Sequence, residues 1–190
     1  MEEENYLKRF WRFLKKDTWQ STIVTLLIAF VVIKFIVFPL LSFATGTVLP
    51  LVIVESCSMY HSGSWEDIFA SGIYNPYNLG VGDAQKWSLG NGFTKGDIIF
   101  VVSAENLEVG DVIIFNGGQA NPIIHRVIDI QENGGVTTKG DHNNGLLSVE
   151  KRISQEQILG KAVFRVPALG WVKLIFFDWM KPAGERGLCT

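Results

Sequence analysis

Cysteine is scarce in this chain: there are two, Cys57 and Cys189, in 190 residues. That is too few for a disulfide framework. A bridge between them would have to draw the end of the chain back onto the segment around Cys57. The pair is therefore read as two free thiols, and no compartment follows from it. An excess of positive charge is lacking too. Seventeen Lys and Arg stand against nineteen Asp and Glu, a formal net charge of −2, which excludes the overall basic field that nucleic-acid binding uses. Histidine is limited to His61, His125 and His142, far apart, with no His-Glu-x-x-His and no paired-cysteine spacing. A zinc site built from these three is a chemical rival that no metal motif supports, and His61 and His142 read as local loop residues. No internal repeat or low-complexity tract is present.

What the chain does have is one long apolar block. Ile23 to Leu41 is almost unbroken, with Lys34 as its only charge, and its length matches the roughly 20 residues that cross a hydrocarbon core. A cleaved signal peptide has a shorter apolar region, although Ser42 and Ala44 stand at cleavage-like spacing. A buried core helix would show a polar face at helical spacing, and none repeats here. Residues 22–41 are thus expected to form an uncleaved membrane anchor, with Lys34 snorkelling, facing a partner or marking a tilt. Lys8, Arg9, Arg12, Lys15 and Lys16 cluster before it, whereas Ser42 to Val54 carries no charge. The positive-inside rule puts the N-terminus in the cytoplasm, largely ignoring Glu2 to Glu4, and everything after the anchor outside. The flank, residues 1–21, interleaves aromatic and basic residues, as an interfacial helix or an ordinary cytoplasmic flank would.

Beyond the anchor, 19 glycines punctuate short runs of Val, Ile and Phe, a pattern of short strands and turns. Strands are expected at 48–55, 97–102, 111–115, 123–130, 136–139 and 159–166, with Asn133-Gly134-Gly135 turning one hairpin. The expected fold class is mainly β: an N-terminal transmembrane helix followed by a curled or barrel-like, mostly antiparallel β-sheet domain over residues 42–167. Residues 61–95 break the pattern with Gly, Ser, Asn, Trp and Tyr, and read as a long excursion or lid. Residues 168–190 form the tail, in which Ala168 to Met180 is apolar but interrupted by Lys173 and Asp178, where a second span would need a longer, cleaner run. An amphipathic segment against the membrane or the domain is expected there.

Three segments carry chemistry: Ser56-Cys57-Ser58-Met59, His125-Arg126-Val127 and Lys139-Gly140-Asp141. A serine hydroxyl is a poor nucleophile until a base within hydrogen-bond reach takes its proton. Histidine suits that task near neutral pH, and a carboxylate on its other ring nitrogen fixes the tautomer. Ser58 as nucleophile, His125 as base and Asp141 as the orienting carboxylate fill these roles, His125 in a strand and Asp141 just after the next strand of the same hairpin, which folds back to bring them close. Ser56 could add its hydroxyl to the Ser58 backbone N–H as an oxyanion hole. Taken singly, each residue has an ordinary reading as a turn serine, a core or surface histidine, or an Asx turn. Joined in order behind an anchor, they favour catalysis. Cys57 is a rival nucleophile, but strand alternation points it away from both serines.

These segments resemble those of a type I signal peptidase, in the branch found in archaea and in the eukaryotic endoplasmic reticulum. The matching stretches are Ser56-Cys57-Ser58-Met59, Gly110-Asp111-Val112, His125-Arg126-Val127 and Lys139-Gly140-Asp141-His142-Asn143-Asn144, in order, from the anchor to about Pro167 but without residues 61–95. The bacterial branch has a lysine where His125 stands. The resemblance implies a β-rich fold, cleavage of signal peptides after small residues, no metal and no organic cofactor. It implies Ser58 as nucleophile, His125 as base, Asp141 as acidic partner and Ser56 as oxyanion donor. The chain departs from the pattern at Cys57, at Tyr60-His61, and at Leu147, where relatives carry a second aspartate. Glu150 is a nearby candidate for that second carboxylate.

The function expected from the sequence is a single-pass membrane serine endopeptidase that cleaves signal peptides from secretory preproteins on the extracytoplasmic face. Its partners would be those preproteins and the lipid bilayer, not nucleic acid; the sequence names no accessory subunit. Two alternatives stand beside it. One is a non-catalytic anchored binding or assembly protein of the same fold. The other is a peptidase for one dedicated precursor, with residues 61–95 as a specificity lid.

Overall fold

The computed structural model describes residues 5–190, so Glu2 to Glu4 of the expected cytoplasmic flank lie outside the described residues. The chain divides after Ala44 into a helical unit and a larger body, Thr45–Thr190. In the helical unit, α1 (Tyr6–Leu14) presents Tyr6, Phe10 and Trp11 to the outside. A continuous helix then runs from Trp19 to Thr45 as α2 (Trp19–Val32), a π-helical turn (Ile33–Val37) and α3 (Phe38–Thr45). The π turn lies just before Pro39, which has no N–H to donate back into the preceding turn, so the ladder loosens where a donor is missing. Lys34 lies over the rings of Phe30 and Phe35, at 5.6 and 5.4 Å. At 27 residues with a mean hydropathy of 2.8 over its best window, this helix is long and apolar enough to cross a membrane. It extends past both ends of the expected 22–41.

The body is built on one six-stranded sheet: β1 (Leu51–Ile53), β2 (Ile98–Val102), β3 (Val112–Phe115), β4 (Ile123–Ile130), β5 (Val136–Lys139) and β6 (Ile158–Val166). The strand order is β1-β2-β6-β3-β4-β5 and every pairing is antiparallel. Helix nevertheless outweighs strand among the described residues, 36% against 18%, so "mainly β" describes only the framework of the body. Among the described residues β1 and β5 do not pair, which leaves the sheet open rather than closed as a barrel. Bulges between Phe100 and Val101, Ile114 and Phe115, and Val127 and Asp129 bend the long strands.

β3 is buried along its whole length, as a central strand covered on both faces should be. One of its faces packs with Met59, Phe93, Ile99 and Ala162, the other with Val127, Val136 and Ile153. Burying these side chains contributes about 1.5–3 kcal/mol apiece, which makes the sheet the rigid frame for whatever its edges carry.

Residues 61–95 are ordered rather than a featureless excursion. They fold into short helical turns, including α4 (Trp65–Phe69) and α5 (Val81–Ala84), joined by an aromatic cluster. Trp65 meets Trp87 edge-on at 5.3 Å, and Phe69 stacks on Tyr74 at 4.3 Å. The tail is also no loose appendage. α6 (Trp171–Phe177) is held where Gly170 N–H donates to Gly96 O and Trp171 Nε1–H to Lys95 O. Fully buried Lys95 then pairs with Asp178 and donates to Glu185 O. These contacts bring the end of the chain back to Cys57, and Cys57 and Cys189 form a disulfide with Cα atoms 5.5 Å apart. The expectation of two free thiols is overturned. Their sequence separation of 132 is irrelevant once α6 turns the tail back toward Cys57.

Candidate active site

β1 ends at Ile53, and the chain tightens into a turn closed by Tyr60 N–H donating to Cys57 O. Met59, fully buried in the core, anchors the turn from below. Its carbonyl accepts from Phe93 N–H at 2.8 Å, and the Ser58 carbonyl accepts from His142 N–H at 2.9 Å. Ser58 is therefore fixed to the core on one side and to the loop after β5 on the other. Ser56 Oγ and Ser58 Oγ lie 3.2 Å apart, so the two hydroxyls share a hydrogen bond. Cys57, between them, is consumed by its disulfide and offers no thiol.

The turn opens onto a cleft of about 610 Å³. One wall is β1, with Leu51 and Ile53, and the other is the start of β4, with Ile123 and His125. Lys173 and Lys181 of the tail close one end, and no residue of 61–95 lines the cleft. Glu55 stands at that end between the two lysines. Its partial burial would raise its carboxyl, but hydrogen bonds and charge from Lys173 and Lys181 hold it below the usual range.

His125 faces the cleft from β4 and is 3% exposed. Its Nδ1 pairs with Glu150 Oε1. Glu150 is fully buried and fixed by two further donors, Thr138 Oγ1–H to Oε1 at 3.3 Å and Leu147 N–H to Oε2 at 2.6 Å. The other ring nitrogen points toward Gly140. A Cβ placed on Gly140 would lie 2.7 Å from His125 Nε2 and 2.8 Å from Ser58 O, so only a glycine lets the histidine and the serine turn approach this closely. Ser58 and His125 line one cleft, with Ser58 Oγ bonded to Ser56 rather than to His125.

Asp141 does not orient His125. Its carboxylate takes Arg126 Nε at 3.0 Å, Arg126 Nη2 at 2.8 Å and His61 Nε2 at 2.8 Å. The reason lies in the sheet. Arg126 stands directly opposite Lys139, and Val127 opposite Thr138. Facing residues share a side of the sheet, and alternate residues along a strand return to it. Asp141, two beyond Lys139, thus falls on the Arg126 side, while His125 shares its side with Thr138 and hence with Glu150.

Arg126 was not a candidate in the sequence, yet it organises the far side of β4. It is fully buried, and all five of its N–H groups find acceptors. Besides Asp141 these are the carbonyls of Ser88, Gly110 and Leu89. Its guanidinium lies 5.4 Å from the ring centroids of both Trp65 and Trp87. The aromatic excursion is the housing of this ion pair, which accounts for its lack of apolar periodicity. Gly110, at φ +100°, takes the left-handed backbone that lets Trp87 lie against it.

Burial alone would raise the Asp141 carboxyl, but the charge and hydrogen bonds of Arg126 and His61 outweigh it and hold the group below the ordinary aspartate value. Nearby Lys139 lies under Tyr74, 4.9 Å from the ring centroid, and donates to Gly140 O. Burial lowers its ammonium against the opposing pull of Asp141 and Glu150. Tyr74, itself buried, is pushed up by desolvation and by the Asp141 charge.

Of the residues singled out in the sequence, Ser56, Ser58 and His125 come together at the cleft, while Asp141 stands behind the sheet. Glu150 takes the position expected of Asp141. His61, read as a loop residue, is a partner of that buried aspartate. No group of three or more His, Cys, Asp or Glu side chains among the described residues is arranged to hold a metal. In comparisons with known proteins, no protein-family model matches the chain and no curated protein matches it.

Proposed function

We propose that this chain is a membrane-anchored serine endopeptidase that removes signal peptides from secretory preproteins on the extracytoplasmic face. The observation that carries the reading is the pairing of cleft-facing His125 with buried Glu150, beside the Ser56–Ser58 hydroxyl pair. Such a carboxylate holds the proton on Nδ1 and leaves Nε2 free to accept one. For attack, the Ser58 hydroxyl leaves Ser56 and turns to His125 Nε2, a bond that commonly tightens only with substrate in place. Ser58 Oγ adds to the scissile carbonyl as its proton passes to Nε2. The Ser58 backbone N–H and the freed Ser56 hydroxyl then face the oxyanion. His125 returns the proton to the leaving amine, and water, deprotonated by the same nitrogen, releases the acyl group.

The substrate class rests on the cleft and the helix ahead of it. β1 is an edge strand whose residues line the cleft, so an extended peptide could add to it as a further strand and present its carbonyl to Ser58. The resemblance of the four sequence segments to signal peptidases, together with a helix able to span the bilayer, favours a substrate delivered at a membrane. The N-terminal basic cluster favours a cytoplasmic N-terminus.

The test is cleavage of a preprotein with a small-residue cleavage site by the full chain in liposomes, wild type against Ser58→Ala and His125→Ala. Cleavage at that site by wild type alone supports the assignment. Cleavage surviving Ser58→Ala rejects the nucleophile. No cleavage by folded wild type favours an anchored binding protein.

A further inference from the structure

α6 and the turn that continues it carry their polarity inside out. In water a surface helix buries its apolar stripe and exposes its charges. Here the charges pair with groups of the body, Asp178 buried and Lys173 with 54% of its side chain exposed. Lys173 Nζ lies 3.1 Å from Glu55 Oε1, Asp178 pairs with Lys95, and Lys181 Nζ donates to Glu55 O at 2.8 Å. The apolar residues turn outward. Val172, Ile175, Phe176 and Trp179 are 70, 69, 68 and 67% exposed. Their spacing of three, four and seven places them in one stripe, and Met180 extends it. The stripe is not a loose end awaiting a core, because the Cys57–Cys189 bridge and the Lys95–Asp178 pair fasten the segment with this face out.

We propose that this stripe seats in the interfacial layer of a lipid bilayer. The occupant follows from the chain itself. The Trp19–Thr45 helix is apolar enough to span, and only Gly46–Pro50 separate its last residue from β1, a connection that reaches at most about 20 Å. Trp179, with its indole at the end of an aliphatic and aromatic stripe, is the residue type that settles at the headgroup level. α6 and the turn after it supply Lys173 and Lys181 to the cleft, and the bridge at Cys189 ends beside Ser58. One rigid segment thus links the depth of the body in the lipid to the height of the nucleophile above it. This last step rests on the peptidase reading; the seating in lipid rests only on the span and the exposed stripe.

The full chain is reconstituted in liposomes containing lipids brominated either near the headgroup or deep in the tails. Wild type minus Trp179→Phe isolates one of six tryptophans. Quenching of that difference, stronger with shallow bromines, is expected; a difference signal that neither lipid quenches overturns the proposal. A second variant, Ile175→Ser with Phe176→Ser, changes only exposed side chains, and its fold is checked by near-ultraviolet circular dichroism. It should cleave a liposome-embedded preprotein several-fold more slowly while cleaving a short soluble peptide at the wild-type rate. Equal rates on both substrates reject the link to substrate height. Cross-linking of the stripe to a second copy, without quenching, overturns the lipid assignment. Quenching without any cleavage by wild type upholds the lipid seat and rejects the peptidase reading.

Discussion

Replacing Glu150 with glutamine changes one atom and should disable His125 by reversing its tautomer. The carboxylate has two distinct ends: Oε2 accepts from the Leu147 backbone N–H, and Oε1 faces His125 Nδ1 and Thr138 Oγ1. A glutamine amide cannot turn its NH2 toward the Leu147 N–H, since two donors would meet in a fully buried site. Its carbonyl therefore takes the Leu147 end, and its NH2 points at Nδ1. Nδ1 must then accept, the ring proton moves to Nε2, and the nitrogen meant to receive the Ser58 proton is already occupied. Loss of the orienting carboxylate in serine-protease triads costs about 10⁴ in kcat. That corresponds to about 5 kcal/mol of transition-state stabilisation. The expected result for Glu150→Gln is a fall of about 10³–10⁴ in kcat with KM little changed, since the cleft walls are untouched. Nitrogen-15 chemical shifts of His125 should report the Nε2–H tautomer. The paired control is Asp141→Asn, which should leave the His125 tautomer as it is. Glu150→Gln within tenfold of wild type, alongside a tautomer shift in Asp141→Asn, would refute the assignment of Glu150.

The remaining expectations concern the groups around that pair. Asp141→Asn leaves the Arg126 charge buried without its counterion and should cost about 3–5 kcal/mol in denaturant unfolding at pH 7. Because the folded Asp141 carboxyl is held below 3.8, its contribution is complete above that value and fades as pH falls through the lower folded one. The variant's deficit should therefore shrink in melts run below about pH 4, and a deficit constant with pH would contradict the ion-pair account. Trp87→Ala opens the housing of Arg126 and should cost about 3–5 kcal/mol without changing which peptides are cut; altered cleavage-site preference would favour a specificity lid. Gly140→Ala forces a Cβ between His125 Nε2 and the Ser58 carbonyl and should lower kcat by 10²-fold or about that, measured on a soluble peptide. Reduction of Cys57–Cys189 should cost about 2–5 kcal/mol in thermal melts, and an unchanged melt would mean that the tail is held by its ion pairs alone.

How far the sequence foretold all this depended on how local each signal was. The strands came through because Ile98–Val102, Val112–Phe115 and Ile123–Ile130 are β-branched runs between turn residues, and the Asn133-Gly134-Gly135 turn is a short-range signal. The insertion of β6 between β2 and β3 was not visible, since it pairs residues some sixty and forty-five places apart. Nor was the purpose of residues 61–95. Their aromatic rings pack around a guanidinium rather than an apolar stripe, so no period betrays them. The disulfide is hidden from the sequence for a related reason: separation along the chain says nothing of separation in space once the tail folds back to Cys57.

The exchange of Asp141 for Glu150 turns on a single residue. A regular hairpin continuing the pairs Ile130↔Val136 and Asp129↔Thr137 would bring Asp141 directly opposite His125, as the sequence led one to expect. The ladder instead jumps between Val127 and Asp129, leaving Ile128 as an extra residue on β4. From there on the register is shifted by one, and a one-residue shift reverses which face each partner shares. Arg126 acquires Lys139 and then Asp141, and His125 acquires Gly140 opposite it. The bulge therefore removes one carboxylate from His125, and the same shift puts a glycine where the ring and the Ser58 turn must approach. The vacancy at Nδ1 is filled from outside the hairpin by the 3₁₀ turn Ser148–Glu150. Its faint trace in the sequence is Glu150 three residues after Leu147, the spacing at which an acidic side chain reaches back to the N–H that opens a helical turn. A bulge has no comparable trace. Ile128 is as good a strand residue as its neighbours, and only the assembled sheet reveals that it has no partner across the ladder.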